Sequence, residues 1–291
     1  MPALFFHFVY NGPSMKSFLK VGAFVLVLGA VIALLDVTVT FFFHKDLGLL
    51  RHSGVGHVTF YVLFVLNVLL FQTYVNRKSF SSLGLERYPG WPMTVFKGWI
   101  VGGVAFVAYT WIMDAAGVVD LRLRYDVGQI VLALVIGSSA FAIATTEEIL
   151  FRGFFLQTML EDLPKWLAIG LTGVIFVFFH KLGRIQDFLT VPYDMMLAGG
   201  IFCLNILLCI SYLKSKTLYL PIGIHSGLVF AKVAFRKLKL IEVVEPNSFW
   251  FGLEGDARRG FLAWILFLSG ILVLKFLITD RERKAFAHKR A

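Results

Sequence analysis

Residues 128–160 read GQIVLALVIGSSAFAIATTEEILFRGFFLQTML, and the reading of this stretch decides the fold. Residues 128–146 carry no charge, and a helix of that length covers roughly 30 Å, the thickness of a bilayer's hydrocarbon core. Glu147, Glu148 and Arg152 then interrupt a run that turns apolar again at GFFL. Each such charge costs about 2.5–3.5 kcal/mol at mid-bilayer, so ionisable residues at that depth mark function by default. Solvated charges at the membrane surface would be the plainer reading. The apolar sequence on both sides of EEILFR argues against it.

The rest of the chain agrees. Of 291 residues, 58% are apolar and 16% charged, and the mean hydropathy is +0.78. Soluble domains carry about 25% charged residues, and none of this size has interior enough for so much apolar side chain. A cytosolic globular enzyme, a disordered regulator and a coiled coil are excluded. Eight apolar runs emerge, at about 20–43, 58–75, 94–118, 128–146, 166–182, 195–213, 217–235 and 260–279. The fourth stays helical in character to about 160. The fold class is therefore all-α, a polytopic transmembrane bundle of about eight helices. The first run lacks a small-residue cleavage site and reads as an uncleaved anchor.

A net charge of +10 raises the question of nucleic acid, but the Lys and Arg lie scattered in short connections. They suit lipid headgroups instead, and no nucleic-acid partner is expected. The side shared by both termini carries an excess of only one Lys or Arg, and because the longest loop counts least in the positive-inside rule the termini are expected in the cytoplasm of a multi-pass protein of the cell (inner) membrane. Cys203 and Cys209 sit inside one apolar run, read as small buried residues and build no disulfide framework.

In an ideal helix Glu148 and Arg152 lie ~40° apart, in the favourable i, i+4 order for an ion pair, while Glu147 points ~100° away from Glu148. One carboxylate is then structural and the other available for proton transfer. His180 ends the motif Phe176-x-x-x-His180, and His225 lies in Pro221-Ile222-Gly223-Ile224-His225. The polar break Glu161-Asp162-Leu163-Pro164 is equidistant from Glu147 and His180, so a helical hairpin brings both to equal depth, ~20–25 Å from its turn. His225, ~10 Å into its own span, needs tilt or a longer helix to join them.

A carboxylate and two imidazoles converging in a low-dielectric site suit general-base activation of water and oxyanion stabilisation. The same trio could hold a divalent metal such as zinc. HExxH and GxSG are absent, and no GxGD accompanies Tyr193-Asp194, which disfavours zincin, serine and aspartyl chemistry.

Glu147-Glu148-x-x-x-Arg152-Gly153, then Phe176-x-x-x-His180, then His225, resembles the CPBP family, the CAAX proteases and bacteriocin-processing proteins. Ser81-Ser82-Leu83-Gly84-Leu85 is similar to a further family feature. The resemblance implies residues 1–79 as anchor helices, 80–240 as a catalytic core, and 241–291 as a loop, last helix and basic tail. It implies an intramembrane endopeptidase acting on a membrane-anchored peptide or protein. Glu147 would activate water with help from His180, Glu148 and Arg152 would position the motif, and His225 would stabilise the oxyanion. The family's third motif ends in Asn or Asp four residues after the histidine, where this chain has Val229. Asn205 could supply the missing donor, or could be a buried Asn bridging helices.

Two other readings stand beside this one. A catalytically silent scaffold or bacteriocin-immunity protein of the same fold would explain Val229. A transporter or proton relay would use Asp36, Asp114, Glu147, Glu148 and His180, although the paired broken helices of transporters are missing.

Overall fold

A computed structural model describes residues 16–43, 54–122, 127–180, 192–253 and 256–277. About 81% of it is helical. Its main helices follow the apolar runs: α1 Lys16–Phe43, α2 Gly54–Leu70, α3 Trp91–Ala115, α4 Val127–Glu148, α5 Lys165–His180, α6 Pro192–Ser215, α7 Tyr219–Lys237 and α8 Phe261–Leu277. Helix α4 continues through a π-helical stretch, Ile149–Leu156, into the turn Gln157–Leu160.

Five segments are long and apolar enough to cross a membrane: Lys16–Leu35, Val58–Val75, Trp91–Ala115, Gly128–Leu160 and Asp194–Ser215. Lys165–His180 and Phe261–Leu274 are apolar but shorter. The expected count of eight spans is therefore approximate. Outward Leu26, Leu34 and Leu134 are each more than two-thirds exposed, which suits lipid and not water. Helix α7 differs: every residue from Tyr219 to Gly227 is buried, so protein and not lipid surrounds its first two turns.

The chain forms two compact units, Met1–Leu83 with Ile149–Ala168, and Gly84–Glu148 with Ile169–Ala291. The first is held by aromatic packing. Phe24 of α1 meets Phe71, Phe154 and Phe155 at ring separations of 5.3, 4.7 and 5.3 Å. One polar tie crosses that core, from Asn67 Nδ2 to the Phe24 carbonyl at 3.2 Å. At the start of α1, where backbone N–H groups lack helical partners, the Ser17 N–H donates to Asp162 at 2.8 Å. Lys20 and Lys78 both pair with Glu161, at 2.7 and 2.8 Å. Burial pushes the Glu161 carboxyl up, but hydrogen bonds and charge from Lys20 and Lys78 more than offset this and hold it below its ordinary range.

The second unit is built on glycine. A Cβ on Gly223 would lie 2.2 Å from the Val95 carbonyl, and one on Gly227 2.2 Å from that of Trp99. From the other side, a Cβ on Gly102 would meet the Ile224 carbonyl at 2.2 Å. Helices α3 and α7 thus pack backbone to backbone through Gly98-x-x-x-Gly102 and Gly223-x-x-x-Gly227, a small-residue seam typical of helices in lipid. Gly173 of α5 likewise receives Phe202 and Asn205 of α6.

Two short antiparallel ribbons lie among the connections: β1 (Val119–Leu121) with β2 (Ile241–Val243), and β3 (Asn247–Ser248) with β4 (Gly252–Leu253). The Tyr109 hydroxyl of α3 donates to the carbonyls of Phe251 and Ala257, fastening the loop before α8 to the helices. Asp256 in that loop binds Arg258 at 2.6 Å and faces Lys232 of α7 at 3.5 Å. Burial pushes its carboxyl up, yet the Arg258 hydrogen bonds and the Lys232 charge outweigh this and hold it well below the usual carboxylate range.

Candidate active site

Helix α4 delivers Glu147 and Glu148 at its C-terminal end, immediately before the π-helical stretch. Such stretches interrupt the regular ladder and occur often at functional sites. The two adjacent side chains diverge, as the helical geometry requires, and reach different atoms.

The imidazole of His225 meets both. Its Nδ1 lies 2.8 Å from Glu148 Oε1, and its Nε2 lies 3.8 Å from Glu147 Oε2. His180 Nε2 approaches the same Glu147 oxygen at 3.7 Å. The structure therefore brings together Glu147, Glu148, His180 and His225 from α4, α5 and α7.

Burial divides the four. The side chains of Glu148 and His225 are 0% and 4% exposed, whereas those of Glu147 and His180 retain 16% and 23%. An inner pair is sealed and an outer pair keeps partial side-chain exposure, with Glu147 Oε2 itself turned inward.

Hydrogen bonding fixes the rings. His180 Nδ1 lies 2.8 Å from the Phe176 carbonyl, which can only accept, so Nδ1 carries the proton and Nε2 faces Glu147 as an acceptor. Against an ionised Glu148, the Nδ1 of His225 likewise donates. The Phe176 ring, fully buried, stands edge-on between the imidazoles, 4.4 Å from His180 and 6.3 Å from His225. Both Nε2 atoms lie too far from Glu147 Oε2 for a direct hydrogen bond. Separations of 3.7 and 3.8 Å leave these three atoms converging on one point.

His225 reaches this point although α7 begins only six residues before it. At the connection from α6 into α7 Lys216 faces outward, but Ser215, Thr217 and Leu218 are each under 5% exposed, so α7 starts inside the protein. Gly84, at φ +101°, accepts the Leu218 N–H at 2.8 Å and has Tyr212 and Leu218 closely packed over it. A side chain there would be strained and obstructed. That is a physical role for the Ser81-Ser82-Leu83-Gly84-Leu85 segment.

Arg152 is fully buried within the π-helical stretch, its guanidinium 5.9 Å from the Phe151 ring centre. The contact of Glu148 with His225 is one that helical spacing does not reveal.

Asn205 is fully buried, and its amide donates to the Ile169 carbonyl of α5 at 3.1 Å. That contact bridges α6 to α5. Val229 lines a cavity of about 120 Å³ that also touches His225. Among the described residues, no group of three or more His, Cys, Asp and Glu side chains is placed to hold a metal ion.

Residues 127–231 match the family model Rce1-like, described as Type II CAAX prenyl endopeptidase Rce1-like. This supports the CPBP resemblance carried by EEILFRGFF and the two histidine motifs, and with it an intramembrane protease. No curated protein and no solved structure gives a significant match.

Proposed function

We propose that this chain, which its family match supports as an intramembrane endopeptidase of the CAAX type, hydrolyses its substrate with a water molecule activated by Glu147. The observation that carries this reading is the convergence of His180 Nε2 and His225 Nε2 on Glu147 Oε2, at 3.7 and 3.8 Å, where one water would bridge.

Glu147 takes a proton from that water as its oxygen bonds to the scissile carbonyl carbon. The carbonyl electron pair moves onto oxygen. His180, held by Phe176, orients the water through its Nε2 acceptor. His225, protonated at Nε2, donates to the oxyanion while the Glu148 carboxylate balances its charge. The proton on Glu147 then passes to the amide nitrogen as the carbon–nitrogen bond breaks. Water is consumed and two peptide ends form.

The substrate is a membrane-anchored peptide or protein, since Glu147 and His180 keep partial side-chain exposure in a helical bundle whose outer surface suits lipid. The family description names a prenyl endopeptidase, and a lipid-modified substrate fits an enzyme embedded in the bilayer.

The test is cleavage of lipid-anchored peptides by purified protein in liposomes. Glu147→Gln and His180→Ala are expected to lose about 10²- to 10⁴-fold in rate. Unchanged cleavage by both variants would remove this mechanism. Val229, in place of a hydrogen-bonding residue beside His225, favours a second reading as a silent scaffold. In that case wild-type and Glu147→Ala protein would rescue a deletion phenotype equally.

A further inference from the structure

The loop between α7 and α8 carries apolar side chains that the chemistry just described does not use. Phe249 and Trp250, at the tip of the β3–β4 hairpin, are each more than half exposed, as is Val244 before them. Their backbone is fixed. The Phe249 and Trp250 carbonyls accept the Phe261 and Leu262 N–H groups at 3.1 and 2.9 Å, so the hairpin satisfies donors that the first turn of α8 leaves open. A Cβ on Gly260 would lie 2.8 Å from the Trp250 carbonyl, and the Tyr109 hydroxyl holds the Phe251 carbonyl from the other side. The rings are thus held outward by a braced backbone.

Phe261, Ile265, Leu268 and Leu272 recur at i, i+4, i+7 and i+11, one face of α8, and the last three are exposed. That face is a stripe suited to lipid. Phe249 stacks on Phe261 at 5.9 Å and Trp250 meets the same ring edge-on at 5.6 Å, so the hairpin tip continues the stripe past the end of the helix. Hydrocarbon cannot cover the loop itself, because a ribbon of two-residue strands leaves open edges whose peptide groups need partners. Water suits the exposed rings no better. The boundary between the two accommodates both, and Trp is enriched there.

Charge at this end of the unit fits the same layer. Helices α3 and α7 run parallel, with Trp91 against Tyr219 and Phe106 against Phe235, so exposed Trp111 lies toward the same end as Arg236, Lys237 and Lys239. Among the described residues exposed there, Asp114, Asp120 and Glu245 balance those three cations, and Arg122 pairs with Glu242. A patch of both signs without net charge matches the phosphate and amine of a zwitterionic headgroup.

We propose that the β3–β4 hairpin is an interfacial anchor, with Phe249 and Trp250 seated in the headgroup layer of a zwitterionic phospholipid bilayer. Lipid, and not a partner protein, covers this surface. The inference holds whether or not the chain cleaves peptides. Its consequence is mechanical: Asp256 of the same loop faces Lys232, so anchoring the loop braces α7, the helix of His225.

The test is depth in a bilayer. Full-length protein carrying Cys203→Ala and Cys209→Ala receives a nitroxide label at Trp250→Cys and is placed in phosphatidylcholine nanodiscs. Collision rates with oxygen and with a water-soluble nickel chelate then give the depth of the label. A label at Leu134→Cys, on an outward face of α4, supplies the hydrocarbon reference. The label at position 250 is expected between the phosphates and about 10 Å beneath them. Its depth should be the same in low and high salt, and with or without phosphatidylglycerol. A label as open to the chelate as one free in water would make the hairpin a docking face for a soluble partner and overturn the anchor. A label as shielded as the one at Leu134→Cys would also overturn it, and a depth that shifts with salt would overturn the zwitterionic assignment. If the labelled variant does not fold, tryptophan fluorescence decides. The quenching that Trp250→Phe removes from wild type should be at least about twofold stronger with phosphatidylcholine brominated near the headgroup end of its chains than near their tips. Equal or reversed quenching overturns the anchor.

Discussion

Glu148 Oε1 and His225 Nδ1 lie 2.8 Å apart in a pair closed to solvent, one on the last turn of α4 and the other on the buried first turns of α7. The second of two adjacent carboxylates thus holds the imidazole whose other nitrogen faces the first. A Glu148→Gln variant keeps an acceptor for Nδ1–H but loses the charge that balances a protonated ring. We expect kcat for peptide cleavage to fall by about 10²-fold or more with KM little changed. Glu148→Ala also strands a buried ring N–H and is expected to cost about 3–5 kcal/mol of stability. Wild-type kinetics in the Gln variant would show that the pair only packs.

Val229 stands one helical turn beyond His225, beside the same cavity. An amide at this position could donate to an oxyanion that His225 alone serves, and one such donor contributes about 10²- to 10³-fold where it is fully used. Val229→Asn is expected to raise kcat by about tenfold. The melting temperature is expected to fall, because the amide enters apolar surroundings. Steady-state cleavage rates of the two proteins decide it, and a lower kcat in the variant would contradict the oxyanion placement.

The glycine seam between α3 and α7 leaves no room for side chains, with carbonyls 2.2 Å from where a Cβ would stand on Gly223 or Gly227. Gly223→Ala is expected to destabilise the protein by about 1–3 kcal/mol through overpacking. It should also lower activity, because α7 carries His225. By contrast, Gly22 and Gly29 of α1 have nothing within 4 Å of that point. Their Ala variants should melt with wild type or slightly above it in the same detergent, since Ala is the better helix former.

Asp256 links stability to pH. Its folded carboxyl is held below the ordinary range despite burial, by Arg258 and Lys232. A depressed folded value contributes stability that is fully present above the unfolded value, about 3.9, and is lost as pH falls toward the folded one. Thermal unfolding of wild type and Asp256→Asn should differ by a constant amount from pH 7 to about pH 5, and the difference should shrink below about pH 4. A gap that stays the same down to pH 3 would show that the ion cluster contributes nothing.

Much of this was legible in the chain. The apolar runs located the eight main helices to within a few residues, because a segment that must satisfy its backbone inside lipid has to be helical. Glu147, His180 and His225 could be singled out because ionisable groups at such depth are costly. The contact of Glu148 with His225 was not legible, because it joins residues 77 apart in the chain. Nor was the bond from the Asn205 amide to the Ile169 carbonyl, which depends on how α5 and α6 pack.

Composition and spacing alone thus determined a helical membrane protein with an acidic and two imidazole groups in apolar stretches of its helices. The tertiary structure decided which oxygen meets which nitrogen. It did so through contacts between residues far apart in sequence: the glycine seam that draws α7 against α3, and the buried entry to α7 braced by Gly84. Hydropathy reports how deep a residue can lie. Backbone packing sets the direction in which its side chain points.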